Sequence, residues 1–237
     1  MSGSLAGLRR LASEKALSHV ESGMIIGLGS GSTMGDVFLP LLAERIRTGV
    51  IRDVSLVPSS RQIEFKILEE GLKTTSFNQI DYVDVTIDSA DLVERESLTA
   101  IKGGGGALLL EKVLSTVSKK IVLVLDERKI VYRIPSGFPI PVEVLQNLVL
   151  LVKRRIEKTL GVSARIRIGS GKVGPVITDS GNAIIDVPLP ENRSLEWLDD
   201  FFNNTPGILE NGIFKGVVSY AYVGTSGGVL ELEGRRR

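Results

Sequence analysis

The stretch Ile101-Lys-Gly-Gly-Gly-Gly-Ala-Leu-Leu-Leu-Glu-Lys112 sets a lysine, four consecutive glycines and a glutamate in one short run. A flexible linker would continue in Ser, Gly or Pro. Here a helix-like run, Ala107 to Leu114, follows at once. Gly103, Gly104, Gly105 and Gly106 can turn several N–H groups toward one point, a nest for a negatively charged oxygen. Lys102 adds positive charge beside it. Glu111 brings a carboxylate whose pKa depends on the balance between burial and nearby cations. A base, an anion cradle and a lysine are the parts needed to take a proton from a carbon next to a carbonyl. A glycine loop with a solvated Lys and Glu is the plainer reading of the same residues.

Three further runs could serve one site. Thr86-Ile-Asp88-Ser-Ala-Asp91 ends a β-branched run with two carboxylates three apart. They share one side if the chain turns helical there, and they fit equally well as a helix cap and a first-turn acid. Gly27-Leu-Gly-Ser-Gly31-Ser32-Thr33 lies between an apolar run and a helical pattern. Glycines allow close backbone approach, and a helix start with Ser or Thr hydroxyls favours an anion. The spacing is not G-x-G-x-x-G, no acidic residue ends the following strand, and no Gly-Lys-Ser/Thr occurs, so a single phosphate fits better than a dinucleotide or nucleoside triphosphate. A capped tight turn is the alternative. In Asp126-Glu-Arg-Lys129 the lysine could reach the same crevice; alone, the run is an ordinary charged loop.

What is missing narrows the chemistry. The chain has no cysteine and one histidine, His19. Disulfides, thiolates and Cys-ligated metals are excluded. A triad or multi-His metal centre would rest on a residue that reads as an ordinary helical histidine. Acid–base work then falls to Asp, Glu, Lys or Tyr, and no metal site is expected.

The elements that must hold these residues alternate. Strands are predicted at Met24–Leu28, Val54–Val57, Val83–Ile87 and Lys120–Leu125. Helices are predicted over 32–48, 61–71 and 107–118. This alternation predicts an α/β fold, a doubly wound, mainly parallel sheet of Rossmann-like type, with ligands beyond the carboxyl ends of the strands. At Ile134-Pro-Ser-Gly-Phe-Pro-Ile-Pro-Val the grammar changes, and the prolines mark a boundary. Helices at about 145–159 and 194–203 and strands at Ala164–Ile168 and Ala183–Val187 suit a smaller α+β domain. Val217–Val223 can return to the main sheet. The expected division is 1–134 plus 217–237 for the larger domain and 135–216 for the smaller. Arg235–Arg237 reads as a tail.

Length and composition agree. The 237 residues are 43% hydrophobic and 24% charged, with net charge +1. Such a chain forms one large domain or a large one with a small one, and a near-neutral balance argues against nucleic acid as partner. No apolar run reaches the ~20 residues of a membrane span. The first residues read as an amphipathic helix broken by Arg9, Arg10, Glu14 and Lys15, not as a signal peptide.

Taken in order, "GLGSGST", "DSAD", "IKGGGGALLLEK", "LDERK", "FPIPVEV", "TDSGNAIIDV" and "PGILENGIF" resemble the type A ribose-5-phosphate isomerases. The likeness covers almost the whole chain. It implies an isomerase of the pentose phosphate pathway that interconverts ribose 5-phosphate and ribulose 5-phosphate without metal or organic cofactor. The partner is then a small phosphorylated pentose, the location cytoplasmic, and the assembly a homodimer or homotetramer. Carried over by motif, Glu111 resembles the base that moves the proton between C1 and C2. Lys102 and the amides of Gly103–Gly106 resemble the enediolate stabilisers. Asp88 and Asp91 resemble the groups for ring opening and sugar hydroxyls. Gly31, Ser32 and Thr33 resemble the phosphate cradle, assisted by Lys129, and Arg9 is the nearest candidate for a basic residue of the first helix. The family's usual Asp-Gly-Ala-Asp-Glu reads Asp88-Ser-Ala-Asp-Leu92 here. Ser89 would alter the turn if that glycine needs positive φ, Leu92 removes a carboxylate, and the segment from Asp91 to Lys102 is slightly long.

Two other readings compete. Another sugar-phosphate enzyme of the same fold, a deaminase or lactonase, would be expected to use a site histidine. A non-catalytic sugar-phosphate sensor would be expected to carry a DNA-binding module and to have lost Glu111 or the aspartates.

Overall fold

The computed structural model describes residues 4–171 and 173–234; the Arg235–Arg237 tail lies outside them. In chain order the elements are α1 (Leu5–Ala16), β1 (Ile25–Leu28), α2 (Leu39–Arg47), β2 (Ser55–Pro58), α3 (Arg61–Glu69), β3 (Val85–Asp88), β4 (Leu92–Glu94), β5 (Ala100–Ile101), α4 (Leu108–Val117), β6 (Ile121–Asp126), β7 (Ile130–Val131), β8 (Pro139–Val144), α5 (Val149–Leu160), β9 (Arg165–Ile166), β10 (Ala183–Pro188), α6 (Leu195–Asn203), β11 (Ile208–Asn211), β12 (Ile213–Phe214), β13 (Tyr220–Thr225) and β14 (Gly228–Glu233).

The main sheet has the order β14-β13-β6-β3-β1-β2. Every pairing in it is parallel except the edge hairpin β13–β14. From β1 the chain goes to β2 on one side, then returns to β3 on the other, which makes the ends of β1 and β3 the switch point of the sheet. The predicted return of the last strands holds, since β13 pairs with β6. One face of the sheet buries Ile26, Leu28, Ile87 and Val124 against Ala12, Ala16, Leu42, Ile63 and Ile67 from three helices. Apolar spacing at 3.6-residue period on the helices and at period 2 on the strands produces that seam.

A second sheet, β11-β8-β10-β9, is antiparallel where its strands pair. It packs Val142, Val144, Ile185 and Val187 against Val152, Ile156, Leu198 and Phe202 of α5 and α6. Gly161 closes α5 at φ 68, a left-handed position that suits glycine.

Between the two lies a small third sheet, β12-β5-β4-β7, which the sequence did not announce. Its strands are two or three residues long, too short to show a period. Alternate residues face opposite cores: Val93, Ala100 and Phe214 join the main-sheet side, while Leu92, Ile101 and Ile213 join the second. The stretch from Leu92 to Ile101 is therefore a hairpin, and Leu92 is a core residue rather than a lost site carboxylate. The helix predicted over 32–48 is also not uniform: a π-helical turn spans Met34–Phe38 before α2. Such turns are frequent at functional sites.

Candidate active site

A cleft of about 160 Å³ opens at the switch point, lined by Ser30–Thr33, Ser89–Asp91, Lys102–Gly105, Glu111 and Lys129. Five elements meet there, α4 among them through Glu111. The turn after β1 supplies Gly31, Ser32 and Thr33, with Ser32 opening the helix. The turn after β3 supplies Ser89 and Asp91. The third sheet sets two site residues side by side, because Leu92 pairs with Ile101 and the Asp91 amide donates to the Ile101 carbonyl at 2.9 Å. Asp91 and Lys102 flank that pair. Lys129 follows β6.

At the floor lies a buried charge cluster. Asp88, Lys102 and Glu111 are 3%, 5% and 6% exposed. Lys102 Nζ sits 2.9 Å from Asp88 Oδ2 and 3.2 Å from Glu111 Oε2, and donates to the Ser89 carbonyl. The Glu111 contact is electrostatic: its Oε2 accepts no aligned hydrogen bond. Asp88 is already bonded to Lys102 and to the Ser89 amide at 2.7 Å. It stands behind Lys102, outside the cleft wall.

Burial pushes the Glu111 carboxyl up to about 7, with Asp88 adding to the rise and Lys102 opposing it. Burial likewise raises Asp88, against the pull of Lys102. For Lys102 burial acts the other way, but Asp88 and Glu111 outweigh it and hold the ammonium above its ordinary value. The lysine stays charged while the Glu111 carboxyl can gain or lose a proton near neutrality, the range suited to general acid–base work.

The glycine loop is only partly a nest. The Gly104 amide donates to Asp91 Oδ2 at 2.7 Å and the Gly106 amide to the Gly103 carbonyl at 3.0 Å. Gly106 lies off the cleft. Of the four glycines, Gly103 and Gly105 line the cleft without giving their amides to a described partner. Gly103 has φ +98, and a Cβ there would stand 2.9 Å from that of Leu108. Gly29 is required for another reason: a Cβ would collide with the Asp88 carboxylate.

Two cations gather near a helix start at the other end of the cleft. Arg9 reaches from α1 to the Ser32 hydroxyl at 3.2 Å, and Asp126 at the end of β6 aims it through a 3.2 Å ion pair. Arg9 does not itself line the cleft; Ser32 and Thr33 do. Lys129 donates to the Ser89 hydroxyl at 3.0 Å. Burial, then Arg9, lowers the Lys129 ammonium. Ser89 does not have positive φ: among the described non-glycine residues only Asp53 and Leu98 do. Serine in place of glycine therefore brings no left-handed strain, and it gives Lys129 a hydroxyl partner.

Two groups near the site were not among the expected site residues, although Ser30 lies within the Gly27–Thr33 run. Ser30 bonds Ser59 and Ser60 at 2.7 Å each, tying the first turn to the end of β2. Arg167, just after β9, reaches the glycine loop from the second sheet. Its only sequence mark is membership of a predicted strand. Among the described residues no group of three His, Cys, Asp or Glu side chains could hold a metal ion.

A doubly wound sheet with a helix start beside Arg9 and Lys129 and a buried acid–lysine pair at its switch point defines an α/β enzyme site. Comparison with known proteins specifies it. Residues 55–228 match the family model for ribose 5-phosphate isomerase A (phosphoriboisomerase A). Ribose-5-phosphate isomerase A of Pyrococcus abyssi is 36% identical over 226 residues, 95% of this chain and 97% of its own. That of Archaeoglobus fulgidus is 40% identical over 218 residues, 91% and 94%. The structure of ribose 5-phosphate isomerase A from Methanocaldococcus jannaschii superposes with a TM-score of 0.90 at 38% identity, covering 97% of this chain and 100% of that one. A D-ribose-5-phosphate isomerase in complex with phospho-erythronic acid gives 0.90 at 36%, covering 95% and 97%. The chain belongs to the ribose 5-phosphate isomerase A family. Among the described residues no helix is long and apolar enough to cross a membrane.

Proposed function

We propose that this chain interconverts ribose 5-phosphate and ribulose 5-phosphate, an aldose–ketose isomerisation, with Glu111 as the proton carrier. The observation that carries the reading is the Glu111–Lys102 pair: a buried carboxylate raised to about 7, 3.2 Å from a lysine that stays charged, in the wall of a cleft with a cationic anion end. The open aldose binds with its phosphate at Gly31, Ser32 and Thr33, near Arg9 and Lys129. Glu111 takes the C2 proton, the C–H electron pair forms the C1–C2 double bond, and negative charge moves onto O1. Lys102 and the cleft-lining amides of Gly103 and Gly105 stabilise that enediolate. Glu111 returns the proton to C1, the O2 proton passes to O1, O2 becomes the carbonyl, and the ketose results. Asp91 serves the sugar hydroxyls and ring opening. Asp88, bonded to Lys102 behind the cleft, serves the reaction by holding the lysine charged and in place. The related isomerase solved with phospho-erythronic acid supports a phosphorylated ligand in this fold.

The family further supports a cytoplasmic enzyme of the pentose phosphate pathway, a homodimer or homotetramer, and two domains divided near 135 and 216. The isomerase reading is tested by assaying the purified protein on ribose 5-phosphate with EDTA present, free ribose serving as control. Turnover of the phosphate ester, insensitive to chelation and at least about a hundredfold above ribose, is expected from charge-assisted phosphate contacts worth roughly 1.5–3 kcal/mol each. Equal kcat/KM for the two sugars, or loss of activity to EDTA, contradicts it.

A further inference from the structure

Arg167 has no place in the chemistry above, yet it is built into the site from behind. Its Nη1 donates to the Gly103 carbonyl at 2.7 Å and to the Gly104 carbonyl at 3.0 Å. Its Nε donates to Asp186 Oδ2 at 2.9 Å, and Nη2 pairs with Asp186 Oδ1. Asp186 sits on β10, whose register opposite Arg165 fixes the distance between the two side chains. A planar guanidinium held on a carboxylate by two nitrogens keeps its remaining donor direction fixed, which a lysine cannot do.

The consequence follows from peptide geometry. In a planar trans peptide the C=O and the next N–H point in opposite directions. The Gly103–Gly104 peptide gives its oxygen to Arg167 and its N–H to Asp91. Asp91 lines the cleft and Arg167 does not, so Arg167 lies on the far side of the loop. The Gly104–Gly105 peptide turns its oxygen to the same nitrogen. Its N–H, that of Gly105, is thereby turned away from Arg167, toward the cleft side. Four glycines in a row have no side chains to enforce this orientation.

We propose that Arg167, tethered by Asp186, is a positioning residue of the isomerisation: it locks the two peptide planes of the glycine loop so that the Gly105 N–H stays aimed at the developing enediolate oxygen. The proposal rests on the isomerase reading. It also makes the second sheet a working part of the site.

The test compares wild type, Arg167→Met, Arg167→Lys and Asp186→Asn for kcat and KM with ribose 5-phosphate, alongside Tm. Wild-type turnover is the control, and its absence sinks the isomerase reading rather than this one. With one oxyanion donor worth about 10²–10³ in kcat, Arg167→Met is expected to lose roughly ten- to a hundredfold in kcat. KM should move less than about threefold, since a donor acting mainly in the transition state affects kcat. Guanidinium ion in the assay should restore part of the Arg167→Met rate and leave wild type unchanged. Arg167→Lys keeps the charge beside Asp186 without the fork. It should retain the wild-type Tm within a few degrees yet fall at least about fivefold in kcat, a part of the full donor effect. This variant decides the matter if Arg167→Met does not fold. Wild-type kcat in Arg167→Lys, or losses confined to KM or Tm, overturns the proposal.

Discussion

At the scale of single residues, the pair that matters is Glu111 and Lys102. Their types and spacing were legible in the sequence, but not their opposed protonation. That came from burial, which raises the carboxyl, and from two carboxylates around one lysine, which keep it charged. A base must be ionised to act, so kcat/KM should rise with pH through about 7 and level above it. A pH–rate profile checks this, and activity undiminished at pH 5 contradicts it. The same shift has a stability sign. The folded protein holds the Glu111 proton more tightly than the unfolded chain does. The stability this contributes is present below the ordinary carboxylate range and is lost as pH rises through about 7. Glu111→Gln lacks that loss, so its Tm relative to wild type should climb between pH 5 and pH 8. Ser89 shows the opposite kind of legibility: the departure from glycine was visible in the sequence, but its tolerance depended on a φ that only the fold reveals.

At the scale of elements, the strands and helices of the main sheet were legible because each carries a clear period and an identifiable start. Ser60, for example, caps α3 by accepting from the Ile63 amide. The third sheet was not legible. Its strands are pairs and triplets, and only alternation between two cores, Leu92 against Val93 and Ile101 against Ala100, explains them. This sheet puts Asp91 beside Lys102, so half of the site's geometry came from the least readable part of the chain. The glycine loop then turns at Gly103, whose φ of +98 and contact with Leu108 leave no room for a side chain. Gly103→Ala should destabilise the protein by about 1–3 kcal/mol and lower kcat, as measured by denaturant unfolding and steady-state rates. An unchanged midpoint would show that the turn has slack. At the helix start, Arg9 is aimed by Asp126. Arg9→Ala should raise KM for ribose 5-phosphate by roughly ten- to a hundredfold, the loss of one charge-assisted contact, with kcat little altered. A change in kcat alone would place Arg9 elsewhere in the reaction.

At the scale of the molecule, α1, the main sheet, the third sheet and the second sheet each line one cleft or hold the residues that line it. Arg9 comes from the first, Glu111 and Asp88 from the main-sheet body, Lys102 from the third sheet and Arg167 from the second. The order of motifs in the sequence made the family readable, whereas their convergence could not be read without the sheet order. Light scattering on the purified 25.6 kDa chain should give two or four times that mass; a monomer at micromolar concentration would contradict the expected homo-oligomer.

Glu111 as the proton carrier stands or falls on turnover by Glu111→Gln in deuterated water. Glutamine keeps the shape of the side chain but cannot accept the C2 proton. The variant should lose about 10²–10⁴-fold in kcat, the worth of a general base, with KM close to wild type and no deuterium entering recovered ribose 5-phosphate. A variant that keeps more than about a tenth of wild-type kcat, outside the range a lost base allows, or that still exchanges the C2 hydrogen with solvent, would remove Glu111 from that role.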